Sequence, residues 1–342
     1  MAEYLDSLVV TWPWWALMLT IAVSILALGK GADWLVEDAV VISLRWGVPQ
    51  AVIGATVISL GTTTPEAVVS VLAAVNGRSE MALGNAVGSI ICDTGLILGI
   101  GCLITPLPLD PRVVNRQGWA QIATGVLLVA ACLPWADPLS AFSGGGRLPQ
   151  AVGFLLLGLL VLYLGWSVHL AREAPAEAPL DAEAGRRTLV WTAMSLMAGL
   201  ATVVIASSLL IPSAAELANR LNVPPSIIAV TLVAFGTSLP ELMVVVTAAR
   251  KGQGGLAIGN VIGADILNVL FVAGAAAAVT PGGLEADHYF FLMQFPAMLL
   301  LLAIFRVGIS TARDGKLERP FGLALLGTYL AVTLTSYLLA GA

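Results

Sequence analysis

One polar phrase occurs twice in this chain, and both times it interrupts hydrophobic sequence. It reads GTTTPE at 61–66 and GTSLPE at 236–241, and each copy is trailed at equal distance by GNxxG, at 84–88 and 259–263. The offset between the copies is 175 positions, and 22 of the 62 positions that align without a gap are identical. Duplicated segments that Gly and Pro break inside hydrophobic sequence are typical of the binding sites of membrane transporters.

The composition places the chain in a lipid bilayer. Of 342 residues, 58% are hydrophobic and 11% are charged, whereas soluble domains have about 25% charged residues. Little sequence is left for a soluble domain, and the net charge of −5 argues against nucleic-acid binding. Cys92, Cys102 and Cys132 lie in apolar runs and are interpreted as core residues. The acidic N-terminal segment lacks the basic start of a cleaved signal peptide.

The hydrophobic pattern predicts an all-α membrane protein with ten transmembrane helices, since a span needs about 20 apolar residues. The predicted spans are 12–44, 49–76, 80–104, 117–135, 150–171, 188–219, 224–250, 255–279, 289–306 and 320–340.

A charged linker at 172–187 divides these spans into two halves of five, at 1–171 and 188–342. Five is an odd number, so the second half must enter the membrane in the opposite orientation to the first. The chain is therefore predicted to form two inverted five-helix repeats, with broken helices at the midplane of the membrane.

The basic residues predict the orientation in the membrane, because Lys and Arg concentrate in cytoplasmic loops. With ten spans, one side receives Arg45, Arg112, Arg116, Arg172, Arg186, Arg187, Arg250, Lys251, Arg306, Arg313, Lys316 and Arg319. The other side receives Arg78, Arg147 and Arg220. The first side is predicted to be cytoplasmic, which makes 172–187 a cytoplasmic linker and puts both termini outside. The compact length and the preference for Arg over Lys suggest a bacterial inner membrane.

Carboxylates fall at membrane depth in both repeats. Glu66 and Glu241 lie well inside the second and seventh predicted spans, and Asp93 and Asn268 lie near the middle of the third and eighth. A charged residue at that depth costs at least about 2.5–3.5 kcal/mol on insertion scales. Three of them in one protein therefore indicate a compensating cation or proton.

Hydroxyl groups share helix faces with these carboxylates. Thr62 and Thr237 each precede a glutamate by four positions, and Ser89 precedes Asp93 by four, so each pair lies on one face of its helix.

Two prolines add backbone oxygens to the same places. Pro65 and Pro240 have no N–H, so carbonyls one turn earlier, near Gly61 and Gly236, lose their helical partner. Hydroxyls, carbonyls and carboxylates without sulfur or imidazole make a site for a hard cation such as Ca²⁺ or Na⁺. A simple helix kink is the alternative for one copy, but two matched copies argue against it.

The GNxxG segments at 84–88 and 259–263 contain small residues, which let helix backbones approach closely, so both are predicted to pack against other helices. Packing alone and a further role at the binding site are interpretations of equal weight. One such role is that Asn85 and Asn260 cap or hold the broken helices without binding an ion.

Together these motifs resemble the α-repeats of the cation/Ca²⁺ exchanger superfamily, and most of all those of the compact prokaryotic Na⁺/Ca²⁺ exchangers. The resemblance implies four central cation ligands, which fall here on Glu66, Asp93, Glu241 and Asn268. It also implies flanking Na⁺ ligands, which fall on Thr62, Thr63, Ser89, Thr237, Ser238 and position 264. It further implies that the first helix of each repeat slides against the rest to give alternating access. Because both repeats lie in one chain, the protein is predicted to function as a monomer.

The chain departs from the family pattern in three places. The compared exchangers carry Asn in the first repeat and Asp in the second, but here Asp93 comes first and Asn268 second. Ala264 stands where Ser is usual, which removes one hydroxyl from a flanking Na⁺ site. Asp265 is an extra carboxylate that has three possible roles: a further ligand, a proton acceptor, or a group facing away from the site.

The leading hypothesis is therefore antiport of Ca²⁺ against Na⁺, with no enzymatic activity and no cofactor beyond the transported ions. Ala264 and Asp265 motivate the alternative, a Ca²⁺/H⁺ exchanger of the same fold. An intramembrane protease is disfavoured because the chain has neither HExxH nor GxGD and neither histidine is mid-span. A channel is disfavoured because an inverted repeat favours alternating access.

Overall fold

The computed structural model describes residues 9–109, 113–173, 188–221, 236–312 and 315–340. In chain order the helices are α1 (Trp14–Trp46), α2 (Gln50–Thr62), α3 (Thr64–Val75), α4 (Ser79–Ile104), α5 (Val113–Cys132), α6 (Gln150–Glu173), α7 (Leu189–Arg220), α8 (Leu239–Arg250), α9 (Gly254–Val279), α10 (Phe290–Thr311) and α11 (Arg319–Ala340). Short helical turns cover Pro138–Ser140 and Ala141–Gly144. The strands are β1 (Leu107–Pro108), β2 (Gly146–Leu148), β3 (Leu284–Ala286) and β4 (Lys316–Leu317).

Within this described part, six helices are long and apolar enough to cross a membrane, namely α1, α4, α6, α7, α9 and α10, and the bent pair α2–α3 makes up to seven. Ten spans were expected. Helix α5 coincides with an expected span, but Asn115, Gln117 and Gln121 lower its hydropathy. The expected span 224–250 is covered only by α8, because 222–235 lies outside the described residues, as does most of the linker.

The helix break expected at Pro65 is confirmed. Helices α2 and α3 meet at an angle of 42° around Thr63. Pro65 falls in the first turn of α3, where its missing N–H costs no hydrogen bond. Pro240 holds the same position in the first turn of α8.

Equivalent places in α4 and α9 contain wide, π-helical turns, at Cys92–Ile97 and at Asn268–Ala273. Asp93 lies in the first and Asn268 begins the second, so both repeats loosen the helix at the predicted ligand. Single π-helical turns in α-helices frequently mark functional sites. The sequence motifs do not predict these π-helical turns.

The second GNxxG segment packs as expected. A Cβ added to Gly263 would lie 2.4 Å from the Cα atom of Ala55 in α2, and one added to Gly259 would lie 2.2 Å from the carbonyl oxygen of Ala51. Only glycine permits backbones this close, so α9 of one repeat is pressed against α2 of the other. The repeat equivalent of Ala55 is position 230, outside the described residues.

Two small antiparallel sheets join loops from different halves of the chain. Strand β1 pairs with β4, and β2 pairs with β3. In the second sheet Arg147 lies opposite Glu285, and the two side chains form an ion pair of 3.2 Å. Each sheet thus connects the end of a helix in one half to the beginning of a helix in the other.

Helices α1 and α7 pack mainly against each other, at the glycine contact of Gly31 with Gly199, and leave much of their surface exposed. One ionic contact ties α1 to the turn after α8, where the Lys251 ammonium lies 2.9 Å from Asp33 and 2.7 Å from Glu37. Partial burial lowers the pKa of Lys251, but the two carboxylates raise it more, so that pKa lies above its usual value.

Candidate cation-binding site

Four polar side chains hold the predicted central positions, and the helix breaks and π-helical turns present them. Glu66 lies in the first turn of α3 and Glu241 in the first turn of α8. Asp93 and Asn268 project from the π-helical turns of α4 and α9. Each of the four is only 1% exposed. A helix N-terminus carries partial positive charge, which favours the two glutamates in their first turns.

Contacts between the repeats bring these positions together. The Thr63 hydroxyl of the first repeat donates to Glu241 Oε1 of the second at 3.4 Å. The Asn268 amide of the second repeat donates to Asp93 Oδ2 of the first at 3.5 Å. Asp93 and Asn268 are separated by the repeat offset of 175, so their contact joins equivalent positions of the two repeats.

The carboxylates are close enough to repel one another. The negative charges of Glu241 and Asp93 both act on Glu66, and Glu241 also acts on Asp93. The ion pairs of the described residues include none of these three carboxylates. A buried cluster of like charges without a basic partner needs a bound cation or proton to be stable.

Several oxygen atoms at this centre have no hydrogen-bond partner although they are buried. They are both carboxylate oxygens of Glu66, Asp93 Oδ1, Glu241 Oε2, Asn268 Oδ1 and Ser238 Oγ. Buried polar atoms are almost always satisfied in folded proteins. Six unsatisfied oxygens from both repeats are therefore available as ligands for a cation.

The arrangement differs from that of a permanent metal centre. In the part of the chain that the structure covers, no three His, Cys, Asp or Glu side chains gather closely enough to hold a metal by themselves. Hydroxyl and amide oxygens must therefore complete any coordination shell here. Such mixed oxygen shells suit Ca²⁺ and other hard cations.

Two of the predicted flanking hydroxyls, those of Thr62 and Thr63, act on Glu241. Thr63 donates to Glu241 Oε1 at 3.4 Å, and the Thr62 hydroxyl also contacts carbonyls of its own helix, those of Ile58 at 3.2 Å and Ser59 at 3.3 Å. Ser89 and Ser238 are both buried, and Thr237 is partly exposed.

The asparagines of the GNxxG segments behave differently in the two repeats. The Asn85 amide donates to the Glu66 carbonyl oxygen at 3.3 Å and to Ser70 Oγ at 2.9 Å, so it holds the first turn of α3. Asn260 is buried, and neither of its amide atoms has a hydrogen-bond partner. Its repeat lacks the serine, since Val245 is the equivalent of Ser70.

Asp265 contacts other residues than the four central ones. Its Oδ2 atom accepts hydrogen bonds from Thr94 Oγ1 and from Gln121 Nε2, the latter at 2.5 Å. Neither partner was among the predicted site residues. A glutamine inside an otherwise apolar stretch of α5 was the available sequence signal. Ala264 is fully buried and supplies no side-chain oxygen.

The chain is similar to known proteins over nearly its whole length. The family model described as sodium/calcium exchanger protein matches residues 16–169 and 191–338. Inner membrane protein YrbG of Escherichia coli (strain K12) is 31% identical over 90% of this chain and 93% of its own length. Putative antiporter CaxA of Alkalimonas amylolytica is 32% identical over 77% and 80%. Sodium/calcium exchanger MaX1 of Methanosarcina acetivorans is 28% identical over 92% and 98%.

The solved structures that this fold resembles are also those of a sodium/calcium exchanger. The sodium-calcium exchanger NCX_Mj, soaked with Na⁺ and without Ca²⁺, superposes with a TM-score of 0.79 at 26% identity, covering 94% of this chain and 99% of that one. A form soaked with Na⁺ and Sr²⁺ gives a TM-score of 0.78 at 27% identity, with the same coverage. The chain therefore belongs to the sodium/calcium exchanger family, and its fold is that of a compact prokaryotic Na⁺/Ca²⁺ exchanger.

Proposed function

We propose that this protein is a secondary active antiporter that exchanges Ca²⁺ for Na⁺ across a membrane by alternating access. The observation that carries the proposal is the set of six buried, unsatisfied oxygens shared between Glu66, Asp93, Glu241, Asn268 and Ser238. Family membership supports it, and so do the relatives whose names describe Na⁺/Ca²⁺ exchange.

Charge explains why one site would take either ion. Glu66, Asp93 and Glu241 repel one another, so the site gains stability when cations enter it. One Ca²⁺ brings two positive charges to the shared oxygens, and two or more Na⁺ bring a similar charge. The ions therefore compete for Glu66 and Glu241, and that competition is the basis of exchange. No cofactor and no covalent chemistry are needed.

Hydroxyl groups beside the centre complete the proposed Na⁺ sites. Thr63 already bonds Glu241, and the unsatisfied Ser238 hydroxyl and the buried Ser89 hydroxyl lie on the same helices as central ligands. Thr62 and Thr237 are included in the proposal, with Thr62 rotating away from its own helix carbonyls to bind.

For the architecture we propose ten spans in two inverted repeats, 1–171 and 188–342, working as a monomer in a bacterial inner membrane. The two small sheets support this orientation. With ten spans, β1 and β4 both fall on the cytoplasmic side, and β2 and β3 both fall outside. Paired strands must lie on one side of the membrane, which requires an even number of spans between them, and ten spans give six between β1 and β4 and four between β2 and β3. Both termini would then face the outside.

The alternative coupling ion is H⁺. Ala264 removes one oxygen ligand, and Asp265 adds a buried carboxylate near the centre. A Ca²⁺/H⁺ exchanger of the same fold would use protons where Na⁺ is proposed here. The relatives named as sodium/calcium exchangers support Na⁺, whereas the name of the putative antiporter CaxA states no ion.

Uptake of radiolabelled Ca²⁺ into proteoliposomes tests the proposal. One set of vesicles is loaded with Na⁺ and diluted into Na⁺-free buffer, and the other carries only an acid-inside pH gradient. We expect uptake in the first set and none in the second. Uptake driven only by the pH gradient would replace Na⁺ by H⁺ as the coupling ion. Absence of uptake in both sets would overturn Ca²⁺ antiport.

A further inference from the structure

A second buried polar cluster lies beside the central site and uses none of its four ligands. Thr94 Oγ1 and Gln121 Nε2 both donate to Asp265 Oδ2, and Gln121 Nε2 also lies 3.4 Å from Thr94 Oγ1. The three residues come from α4, α5 and α9, so three helices meet at this point. All three side chains are buried.

This cluster is incomplete as it stands. Both hydrogen bonds end on Oδ2, and Asp265 Oδ1 is buried without a partner. The ion pairs of the described residues do not include Asp265. A buried carboxylate with one unsatisfied oxygen and no basic neighbour needs a positive charge close to that oxygen.

A second unsatisfied side chain lies one helical turn from the cluster. Gln117 is one helical turn from Gln121, on the same face of α5, and that helix packs against α9. Gln117 is fully buried, and neither its amide oxygen nor its amide nitrogen has a partner. Two buried oxygens of these residues, Asp265 Oδ1 and Gln117 Oε1, therefore have no hydrogen-bond partner.

We propose that Asp265, Thr94, Gln121 and Gln117 form an additional binding site for a monovalent hard cation, namely Na⁺, separate from the four-ligand centre. Its single carboxylate balances one positive charge, and its other donors are neutral, so a monovalent ion fits better than Ca²⁺. The inference rests on the proposed function only in taking Na⁺ as the ion present.

The site would occur once per chain. The equivalents of Asp265 and Thr94 in the other repeat are Ile90 and Val269, which have no oxygen ligands. Asp265 also acts electrostatically on Asp93, a ligand of the central site. An ion bound at Asp265 would therefore weaken the repulsion at the centre, and this links occupancy of the two sites.

Equilibrium binding of radiolabelled Na⁺ to the purified full-length protein, with saturating Ca²⁺, tests the proposal. Ca²⁺ displaces Na⁺ from the central oxygens, so the Na⁺ that stays bound reports the second site. We expect one residual Na⁺ per chain in the wild type and none in Asp265→Asn. No residual Na⁺ in the wild type, including a result in which a proton occupies the site instead, would overturn the proposal. The same amount of residual bound Na⁺ in Asp265→Asn as in the wild type would overturn it as well.

Milder variants guard against misfolding. Thr94→Val removes one hydroxyl at similar volume and should weaken residual Na⁺ binding by about five- to thirtyfold, the weight of one lost polar contact. Thr124→Val is the matched control, because the Thr124 hydroxyl only bonds the Gln121 carbonyl oxygen of its own helix, at 2.9 Å. Equal binding by these two variants would contradict the site. If Ca²⁺ displaces no Na⁺ at all, the proposed exchange fails, but the count of Na⁺ lost with Asp265→Asn still decides this inference.

Discussion

At the scale of single residues, both repeats have a glutamate at the first central position, but only the first repeat has a carboxylate at the second. Glu66 and Glu241 are equivalent and both lie in the first turn after a proline. Asp93 and Asn268 are also equivalent, yet one is charged and the other neutral, and they contact each other at 3.5 Å. The third carboxylate therefore lies where the two repeats meet, and we expect this charge to act from either of the two positions.

We predict that Glu66→Gln or Glu241→Gln abolishes Ca²⁺ transport. Each change keeps the size of the side chain and removes one of the charges that we propose bind the cation. Uptake into Na⁺-loaded proteoliposomes should fall by at least about a hundredfold, because a lost charged ligand costs several kcal/mol in a buried site. Glu80→Gln, in the exposed first turn of α4, is the control and should transport normally. Preserved uptake in both site variants would remove the glutamates from the mechanism.

Exchanging Asp93 and Asn268, which contact each other between the repeats, should preserve Ca²⁺ binding. Asp93→Asn alone leaves two carboxylates and should weaken Ca²⁺ binding by about tenfold or more, since affinity follows the charge of the ligands. The double variant Asp93→Asn with Asn268→Asp restores the charge a few ångströms away. Isothermal titration should then give an affinity within about fivefold of the wild type. A double variant as weak as the single one would show that the position of the charge is fixed.

At the scale of the helices, close packing holds the broken segments in register. Gly259 and Gly263 let α9 touch the backbone of α2, and Asn85 bonds the Glu66 carbonyl. These contacts join parts of the chain that are far apart in sequence. They hold α9 against α2 and α4 against the first turn of α3, where Glu66 lies.

We predict that Gly263→Ala destabilises the protein by about 1–3 kcal/mol, the usual cost of overpacking. The new methyl group would meet the backbone of Ala55, which cannot turn aside as a side chain can. Thermal unfolding of the purified protein measures the change. Gly255→Ala is the control, because its Cβ would find its nearest neighbour, Gln50 Cβ, at 3.7 Å. Equal melting temperatures for the two variants would disprove the packing role.

Comparing the helices with the sequence shows what local patterns can predict. The break at Pro65 follows from its missing N–H, and the close packing of Gly259 and Gly263 follows from their missing side chains. The π-helical turn at Asp93 was not predictable, because it depends on how α4 packs rather than on a local residue preference. The cluster of Asp265 with Thr94 and Gln121 was missed for the same reason, since three helices must assemble before these side chains meet.

At the scale of the whole molecule, the paired strands show which loops lie on the same side of the membrane. Sheet β1–β4 and sheet β2–β3 each join the two halves of the chain, and with ten spans they lie on opposite sides of the membrane. The excess of basic residues on one side predicts which sheet is cytoplasmic. Among the described residues, six or seven helices are long and apolar enough to cross a membrane.

Cysteine labelling provides that test. The native Cys92, Cys102 and Cys132 are all buried, so they should give little background with a membrane-impermeant maleimide. In intact cells we expect Ser143→Cys, near β2, to be labelled and Glu318→Cys, near β4, to be protected; both positions are exposed in the fold. Opening the cells should make Glu318→Cys reactive. Labelling of both in intact cells would refute the inverted arrangement.

The central claim is that the two repeats jointly bind one Ca²⁺ in competition with Na⁺, and equilibrium binding of radiolabelled Ca²⁺ to the purified protein tests it most directly. The account predicts one Ca²⁺ per chain in the wild type, displaced by Na⁺, and loss of this binding in Glu66→Gln and in Glu241→Gln alike. Undiminished Ca²⁺ binding in either variant, or Ca²⁺ binding that Na⁺ does not affect, would contradict it.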